Sequence, residues 1–350
     1  MPEGPKPLPI SMKRRVKAKA HEIFGATSVC DLYVRALRVR GAVVLMYHSV
    51  APVARQGMQD PSMAVPEAEF EAQMSFLARR RKVVSLGTLV DQLDEGHSPE
   101  PGTVVITFDD GYLDNYEIAA PILERLRLPA TIFVATGHIS RTENMWIDDL
   151  CCNFKHRGQH RLALADTSFD LSVPGETDRA YHFAAGVLLR ASVDTRAELM
   201  QSIERQLAPS CPPIRLMMNW DEVRALRKRF PMITIGSHTR NHVDLSSASN
   251  DVVVAELQAA HDDIKRELGI EVDQFAFPYG RDSASGRAWL RSKGYRAAML
   301  TGPVRLVQAN SDPIHLRRLE VMPGRTAGRF AYHTSGAHPS LSRVVFLGRA

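Results

Sequence analysis

The chain has 350 residues, of which 44% are hydrophobic and 24% are charged. This is the composition of an ordinary globular protein, and it excludes disordered, collagen-like and disulfide-stapled chains. The formal net charge is +5, but residues 1–40 hold 9 basic against 3 acidic side chains, so the rest of the chain sums to −1. The basic character therefore belongs to the N-terminus.

Residues 1–40 form a basic arm that we expect to be partly disordered. Residues 13–40 mix Lys and Arg with apolar side chains, so they either contact an anionic membrane surface or pack on the outside of the protein. The arm lacks the apolar core of a signal peptide, and no stretch approaches the roughly 18 apolar residues of a membrane span. The few cysteines show no C-x-x-C spacing and are expected to be reduced thiols: Cys30, Cys151, Cys152 and Cys211. We therefore expect a cytoplasmic protein, with any membrane contact at the inner face.

From residue 41 onward, short apolar runs alternate with stretches of helical periodicity. Strands are predicted at Ala42–Tyr47, Thr103–Phe108, Ala130–Ala135, Met232–Gly236, Gln274–Phe277 and Arg296–Leu300. Helices are predicted around Phe70–Ala78 and over residues 115–127, 220–229, 251–268 and 284–293. This alternation indicates an α/β protein with a parallel sheet or barrel.

Residues 141–218 interrupt the alternation. The segment is mostly helical and polar in pattern and is too long for an ordinary connection. We interpret it as a helical cap inserted into a barrel domain that spans residues 41–330, and we expect residues 331–350 to be a C-terminal tail.

The first chemical motif is Val104–Tyr112, in which the adjacent carboxylates Asp109 and Asp110 follow an apolar strand. In parallel barrels, functional groups collect at the carboxyl ends of strands. Two neighbouring carboxylates repel each other, so both ionise readily only when a cation or a donor lies between them. The same Asp-Asp-Gly sequence also suits a turn at the start of a helix, and this motif alone does not decide between the two.

The second motif, Ile233–His242, also places polar residues directly after a β-rich run. His238 and His242 are four residues apart, so in a helical turn both imidazoles would lie on one face. Together with one carboxylate they make a three-ligand metal set that leaves positions for water and substrate. Two such strand ends in one chain favour a metal site over surface histidines.

Three weaker features accompany these motifs. Phe275–Gly280 ends in a Pro-Gly turn, where a backbone N–H can point into a site. His48 follows the first predicted strand. Trp220 opens a helix, where it either stacks on substrate or, as we favour, packs at the barrel mouth.

Thr107–Gly111, Ser237–His242 and Phe277–Gly280 together resemble, in order and spacing, the first three motifs of the polysaccharide deacetylase family (NodB homology, carbohydrate esterase family 4). The resemblance covers about residues 42–325, apart from the insertion. It implies a distorted (β/α) barrel with a helical insertion. It also implies a metal-dependent hydrolase that removes an N- or O-acyl group from a sugar.

Carried over residue by residue, the resemblance implies that Asp110, His238 and His242 bind a divalent metal, usually zinc. It implies that Asp109 is the general base, which agrees with the ability of a carboxylate outside the metal's ligands to accept a proton from water. It further implies that the backbone N–H of Tyr279 is an oxyanion donor. The substrate-binding candidates are Tyr112, Thr239, Pro278 and Trp220.

Two departures from the family pattern leave roles open. Many relatives carry an Arg that orients the base at the start of the third motif, where this chain has Ala276 and Phe277. The family's late Leu-x-His, whose histidine is the general acid, is replaced by a stretch in which His315 precedes a leucine, and we interpret His315 as a strand-edge residue. The acid is instead His48 or a carboxyl group of the insertion, and these alternatives stay open: Glu143, Asp148 and Asp149.

The expected function is zinc-dependent N-deacetylation in polysaccharide or glycolipid assembly. The substrate would be an acylated sugar, an oligosaccharide or a lipid-linked saccharide, and the nearest alternative is deformylation of a lipid-linked amino sugar. The intact Asp109, Asp110, His238 and His242 disfavour a catalytically inactive carbohydrate-binding relative. The paired carboxylates disfavour a two-histidine, one-carboxylate iron oxygenase. Nucleic-acid binding by the basic arm has no companion motif and is not expected.

Overall fold

A computed structural model describes residues 31–32, 36, 39–52, 55, 57–139, 144–303 and 305–337. The predicted basic arm over 1–40 therefore lies almost wholly outside the described residues, as do Glu143 and the end of the predicted tail. None of the described helices combines the length and the apolar character that a membrane crossing requires.

The described chain alternates strands and helices. The strands are β1 (Ala42–Tyr47), β2 (Ser49–Ala51), β3 (Ala64–Pro66), β4 (Lys82–Val83), β5 (Thr103–Phe108), β6 (Ala130–Val134), β7 (Arg161–Leu164), β8 (Thr167–Asp170), β9 (Ile233–Ser237), β10 (Gln274–Ala276), β11 (Ala297–Leu300) and β12 (Leu316–Glu320). The α-helices are α1 (Glu67–Arg80), α2 (Leu86–Asp94), α3 (Ala120–Arg125), α4 (Trp146–Lys155), α5 (Glu176–Arg190), α6 (Val193–Leu207), α7 (Trp220–Arg229), α8 (Asn250–Leu268), α9 (Ala284–Ser292) and α10 (Ala327–Thr334). All six predicted strands and the predicted helices are present, with boundaries shifted by three residues or fewer, except that the helix predicted over 115–127 begins as a π-helical turn, Asn115–Ala119.

The main sheet closes into a parallel barrel in the order β1-β12-β11-β10-β9-β6-β5, and β5 pairs back to β1. Every residue of β1 is paired with its counterpart in β5. The other edge of β5 is shared, because β4 pairs with its first residues and β6 with its last. This split edge distorts the barrel, and the expected distorted (β/α) barrel is confirmed.

Strand β12 closes the barrel and was not among the predicted strands. Its sequence, Leu-Arg-Arg-Leu-Glu, has the polarity of a surface segment. It nevertheless lies between β1 and β11, where Leu316 and Arg318 are buried. An apolar run is the usual signal for a buried parallel strand, and β12 lacks it because one of its interior positions is a charged side chain.

The barrel strands are buried on both faces. The interior is filled by side chains from alternate positions, including Val44, Val105, Phe133 and Met299, and apolar side chains of α2 join this cluster. The other face of the strands packs against the surrounding helices. Burial on both faces explains why β1 and β5 are almost continuously apolar in sequence.

The insertion has a hydrophobic core of its own. It contains α4, an antiparallel hairpin formed by β7 and β8, and the long helices α5 and α6. The hairpin was not predicted, because its strands are short and mostly exposed. Both ends of the insertion are attached to the loop after β5: Asp148 accepts a hydrogen bond from the Tyr112 hydroxyl over 2.7 Å, and the Leu216 carbonyl accepts one from Leu113 N over 2.7 Å. At the C-terminus, the domain boundary predicted at residue 330 falls inside α10.

Candidate active site

A cavity of about 500 Å³ lies at the carboxyl ends of the barrel strands. Residues that follow β1, β5 and β9 line it: His48, the pair Asp109 and Asp110, and the pair His238 and His242. Because the strands are parallel, their carboxyl ends meet at one end of the barrel, so residues distant in sequence converge there.

Asp110, His238 and His242 form a compact buried cluster. The Nε2 atom of each histidine lies 3.4 Å from Asp110 Oδ1, and the two imidazole rings are 4.9 Å apart between centroids. Zinc binds His nitrogen and carboxylate oxygen at about 2.0–2.2 Å, so two ligand atoms of a tetrahedral ion are about 3.4 Å apart. The cluster therefore has the spacing of a metal-ligand set.

The unsatisfied polar atoms of the cluster also fit a cation. Asp110 Oδ1 is buried and accepts no hydrogen bond from the described residues. His238 Nδ1 donates to the Ala276 carbonyl over 2.7 Å, which leaves Nε2, the atom that faces Asp110, to bind an ion. Burial lowers the pKa of His242 to about 3, so its imidazole is neutral. Burial acts in the same direction on His238, but the carboxylates of Asp109 and Asp110 outweigh it and raise the pKa of His238, so a cation that bound there would take the place of a proton on Nε2. Two imidazole nitrogens and a carboxylate oxygen facing one another are the donor set that a divalent ion such as zinc takes up.

The loop that carries the two histidines is not the helical turn that their spacing suggested. After β9 the backbone bends twice into the left-handed region, with φ of 64° at Thr239 and 51° at His242. Glu256 of α8 holds this bend: its carboxylate accepts hydrogen bonds from the backbone N of Arg240 and of Asn241 and from Asn241 Nδ2, over 3.1, 2.7 and 2.7 Å. A non-helical loop tied to α8 therefore brings the imidazoles together.

Asp109 and Asp110 both line the cavity, although neighbouring residues of an extended strand point to opposite faces. Asp110 adopts φ of 72°, in the left-handed region that non-glycine residues rarely occupy. This turn directs both carboxylates into the cavity. Backbone strain of this kind persists where the surrounding structure holds it, commonly at functional sites.

Asp109 is held by an arginine from the far end of the chain. Arg318 Nη1 and Nη2 donate to Asp109 Oδ1 and Oδ2, each over 2.6 Å, and Nη1 also donates to Thr107 Oγ1 over 3.1 Å. The guanidinium is fully buried and lies 5.7 Å from the centroid of the Phe133 ring. Such a two-pronged pair fixes the carboxylate in position as well as in charge.

The arginine also contributes to the protonation state of the carboxylate. Burial, the largest single influence, would by itself raise the pKa of Asp109, but the charge of Arg318, its hydrogen bonds and the charges of His238 and His48 together outweigh it, and the pKa lies below its usual value. Asp109 is therefore ionised at neutral pH and able to accept a proton.

Of the remaining predicted site residues, His48 and Tyr279 line the cavity. Tyr279 has φ of 56°, its ring packs edge-on against His242 at 4.7 Å between centroids, and its hydroxyl accepts a hydrogen bond from Trp146 Nε1 over 3.3 Å. Pro278 precedes it and is buried. Thr239 is fully buried beside the metal-ligand set.

Tyr112 and Trp220, both predicted to bind substrate, occupy other places. Tyr112 is fully buried, and its hydroxyl donates to Asp148. Trp220 packs in the core between the strands and the helices and is not among the residues that line the cavity. Large aromatic rings are expected in such positions because they bury much apolar area.

The other candidates for the general acid also lie elsewhere. The carboxyl group of Asp148 is buried between the Tyr112 hydroxyl and Asp60 N, where it fastens the insertion to the barrel. Asp149 accepts a hydrogen bond from Asn144 Nδ2 over 2.8 Å. His315 is exposed and faces Asp282, with Nε2 3.7 Å from Oδ2. Of the candidates within the described ranges, His48 is the one that lines the cavity.

Sequence reasoning missed Arg318, Glu256 and one wall of the cavity. Arg318 could have been noticed in the sequence, because a charged residue between Leu316 and Leu319 is unusual in a strand. Nothing in the sequence distinguishes Glu256, since an acidic residue on an amphipathic helix is ordinary. The missed wall comes from the insertion: α4 and α5 contribute Trp146, Ile147, Ala185 and Leu189.

Comparisons with known proteins show the family to which the chain belongs. The sequence profile of the polysaccharide deacetylase family matches residues 96–298. YxkH of Bacillus subtilis (strain 168) is 27% identical over 170 residues, which cover 47% of this chain and 55% of YxkH. A poly-beta-1,6-N-acetyl-D-glucosamine N-deacetylase of Staphylococcus aureus is 35% identical over 77 residues, 22% of this chain and 26% of that enzyme. The chain thus spans about half the length of the first relative and a quarter of the second.

Two solved structures share the fold. IcaB from Ammonifex degensii superposes with a TM-score of 0.57 at 18% identity, covering 85% of this chain and 97% of IcaB. The Streptococcus pyogenes deacetylase PplD superposes with a TM-score of 0.56 at 16% identity, covering 84% of this chain and 98% of PplD. The family profile extends over more than half of the chain and across all three motifs, so this protein belongs to the polysaccharide deacetylase family, as its motifs predicted.

Proposed function

We propose that this protein hydrolyses the N-acyl amide of an amino sugar within a saccharide, with a divalent metal, most suitably Zn²⁺, held by Asp110, His238 and His242. One observation carries the proposal: a complete metal-ligand set lies in one cavity with an ionised carboxylate, Asp109, that Arg318 holds beside it. The name of the staphylococcal relative supports an N-acetylglucosamine polymer as the substrate class.

The metal, when bound, would polarise the amide carbonyl and acidify a water molecule. Asp110 would supply the anionic ligand, and the imidazole nitrogens of His238 and His242 would supply the other two. Three protein ligands leave coordination positions open, which is the pattern of catalytic rather than structural zinc sites.

Asp109 takes the proton of the attacking water. Its ionised carboxylate is buried and cannot turn away, because both oxygens accept hydrogen bonds from Arg318. As the water oxygen bonds to the acyl carbon, negative charge develops on the carbonyl oxygen, and the backbone N–H of Tyr279 is the chain's own donor for that charge. The left-handed turn at Tyr279 aims this segment of backbone toward the cavity.

His48 protonates the leaving amine. Amide cleavage breaks the bond between the acyl carbon and the sugar nitrogen, and the nitrogen departs readily only if it receives a proton. His48 follows β1 on the cavity wall and is close enough to Asp109 and Asp110 to act on both electrostatically. This position in the cavity supports it as the proton donor.

The wall contributed by the insertion favours a saccharide that carries an apolar part. Met145, Trp146, Ile147 and Leu189 face the cavity opposite the carboxylates and imidazoles. Apolar and aromatic walls with a few polar groups are typical of small-ligand sites. This wall suits the face of a sugar ring and the first carbons of a lipid carrier, so a lipid-linked saccharide is included in the proposal.

The test is acyl release from defined saccharides by the zinc-loaded protein. We expect acetate from oligomers of β-1,6-N-acetylglucosamine, and a loss of about 10²–10⁴-fold in turnover for Asp109→Asn with zinc content unchanged. Asp110→Ala should lose both zinc and activity. Release of formate from an N-formylated amino sugar, without release of acetate from the N-acetylated oligomers, would identify the deformylase alternative. Full activity of Asp109→Asn would place the base elsewhere.

A further inference from the structure

A second cluster of metal-binding side chains lies in the insertion, at the other end of α4 from the cavity. Cys152, His156 and Cys211 each offer a ligand atom, and these atoms lie within 4.8 Å of one another. None of the three belongs to the motifs of the barrel. Cys152 is fully buried, whereas His156 and Cys211 are partly buried.

The fold holds the three residues together independently of any ion. Cys152 and His156 are four residues apart on the last turn of α4, so their side chains lie on one face of the helix. The chain after α6 is fastened to this turn, because Ser210 donates to the His156 carbonyl from its backbone N over 2.7 Å and from Oγ over 3.1 Å. Cys211 follows Ser210 in the chain, so these hydrogen bonds hold it close to Cys152 and His156.

The cluster contains a polar atom that nothing satisfies. His156 Nε2 is buried and makes no hydrogen bond within the described residues. Leaving such a group unpaired costs free energy of the order of 1–3 kcal/mol. The two cysteines beside it are free thiols. Thiolates and imidazole are the ligands that zinc prefers in structural sites.

We propose that Cys152, His156 and Cys211 bind a zinc ion that fastens the end of α4 to the segment that returns from the insertion to the barrel. On binding, each thiol releases its proton to solvent and the thiolate sulfur bonds to the ion, while His156 binds through Nε2. The partial exposure of His156 and Cys211 leaves a position for water.

This site would act on the cavity through the two segments that it joins. α4 begins at Trp146, which lines the cavity. The returning segment runs beside the carboxylate loop, where Leu216 O accepts from Leu113 N and Met218 N donates to Gly111 O over 2.7 and 3.0 Å. A bound ion would therefore steady the insertion wall relative to the barrel. The proposal does not depend on the reaction proposed above.

The test is cobalt substitution of the full-length, reduced, metal-free protein. A thiolate bound to Co²⁺ gives an intense charge-transfer absorption in the near ultraviolet, and the barrel site contains no thiolate. Because the barrel site can also take up Co²⁺, we expect this band to saturate by about two Co²⁺ per chain in wild type and at about one in Asp110→Ala. We expect zinc to abolish it, and Cys211→Ser and His156→Gln to lose it or shift it to higher cobalt concentration by at least 10-fold.

Cys151→Ser is the matched control. Cys151 is adjacent on α4, but its thiol points instead to the Gln59 carbonyl, 3.4 Å away, so this variant should keep the band. Absence of the band in the reduced wild-type protein, or its loss in Cys151→Ser with retention in Cys211→Ser, would overturn the proposal. A disulfide between Cys152 and Cys211 that persists in purified protein under reducing conditions would also overturn it. Asp110→Ala should keep the band, which separates this site from the barrel site.

Discussion

Arg318 and Asp109 are 209 residues apart in the chain, yet they form a two-pronged ion pair with both N–O distances at 2.6 Å. The third motif of this chain holds no arginine, and the guanidinium that pairs with Asp109 comes instead from β12, the strand that closes the barrel. Such a pair is possible because side chains from different strands point into one barrel interior.

Replacing Arg318 should change the pH dependence of the reaction. The pKa of Asp109 lies below its usual value because the charge and hydrogen bonds of Arg318, together with His238 and His48, outweigh the effect of burial. Arg318→Met removes the contribution of Arg318, so the pKa rises and less of the proposed base is ionised at neutral pH. We expect the acidic limb of the kcat/KM profile to move to higher pH and the rate at pH 7 to fall about 10–100-fold.

Two further variants make this prediction specific. Arg318→Lys keeps a charge but loses the second hydrogen bond, and it should lie between Arg318→Met and wild type. Arg317→Met changes the neighbouring residue, whose side chain donates to the Thr301 carbonyl instead, and should leave the acidic limb in place. A rate loss in Arg318→Met with an unmoved acidic limb would mean that Arg318 acts on folding alone.

His48→Asn should slow the departure of the amine. We expect kcat on an N-acetyl amide to fall about 10²–10⁴-fold at unchanged metal content. An acetate ester with an acidic phenol as leaving group needs no protonation, so its hydrolysis should be largely spared. The exposed His97, paired with Glu95 after α2, provides the control as His97→Asn. Equal losses on amide and ester would contradict the role of His48 as the acid.

Glu256→Gln should weaken metal binding without removing a ligand. The carboxylate of Glu256 accepts three hydrogen bonds from the histidine loop, and an amide would turn a donor toward at least one of these N–H groups. Loss of outer contacts of this kind typically lowers metal affinity about 10–100-fold. Competition with a chromogenic chelator measures the affinity. Asp262→Asn, on the same helix and hydrogen-bonded to Gln258, should bind metal like wild type.

Asp148 should make the metal-free protein less stable as the pH rises. Burial raises the pKa of its carboxyl group to about 8 in the folded state, against about 3.9 in an unfolded chain. Because the pKa is higher in the folded protein, the protonated carboxyl group contributes its full stability at pH values below the pKa of the unfolded chain. This contribution to the free energy of unfolding is lost as the pH rises from there toward 8, by at most about 1.4 kcal/mol per pH unit.

Denaturant unfolding at several pH values tests this expectation. Between pH 4 and 8 the free energy of unfolding of Asp148→Asn should fall less steeply than that of wild type, even if the variant is less stable at pH 5. Asp194→Asn, at an exposed position in the first turn of α6, should keep the wild-type slope. Identical slopes for Asp148→Asn and wild type would show that the carboxyl group is ionised in the folded protein.

Local sequence determined the elements and the chemistry of the site. The strands β1 and β5 can be recognised from their apolar sequences, because both faces of a strand in a parallel barrel are buried. A metal site of His238, His242 and one of the two aspartates could be proposed because these residues follow strands, and parallel strands bring their carboxyl ends together. The choice of Asp110 as the ligand came from the resemblance to the family. Motif order then predicted the family and its barrel, and both are confirmed.

Tertiary structure alone decided which distant residues complete the site. No local pattern links Arg318 to Asp109, Glu256 to the histidine loop or Cys211 to Cys152, because each pair meets only after strands have been ordered in the barrel and helices packed around it. The position of both Asp109 and Asp110 in one cavity likewise depends on a left-handed backbone turn at Asp110, which the surrounding packing holds in place. Periodicity and strand-end motifs carry information about residues that are close in sequence. Ion pairs, burial and the conformation of a loop depend instead on contacts between residues that only the folded protein brings together.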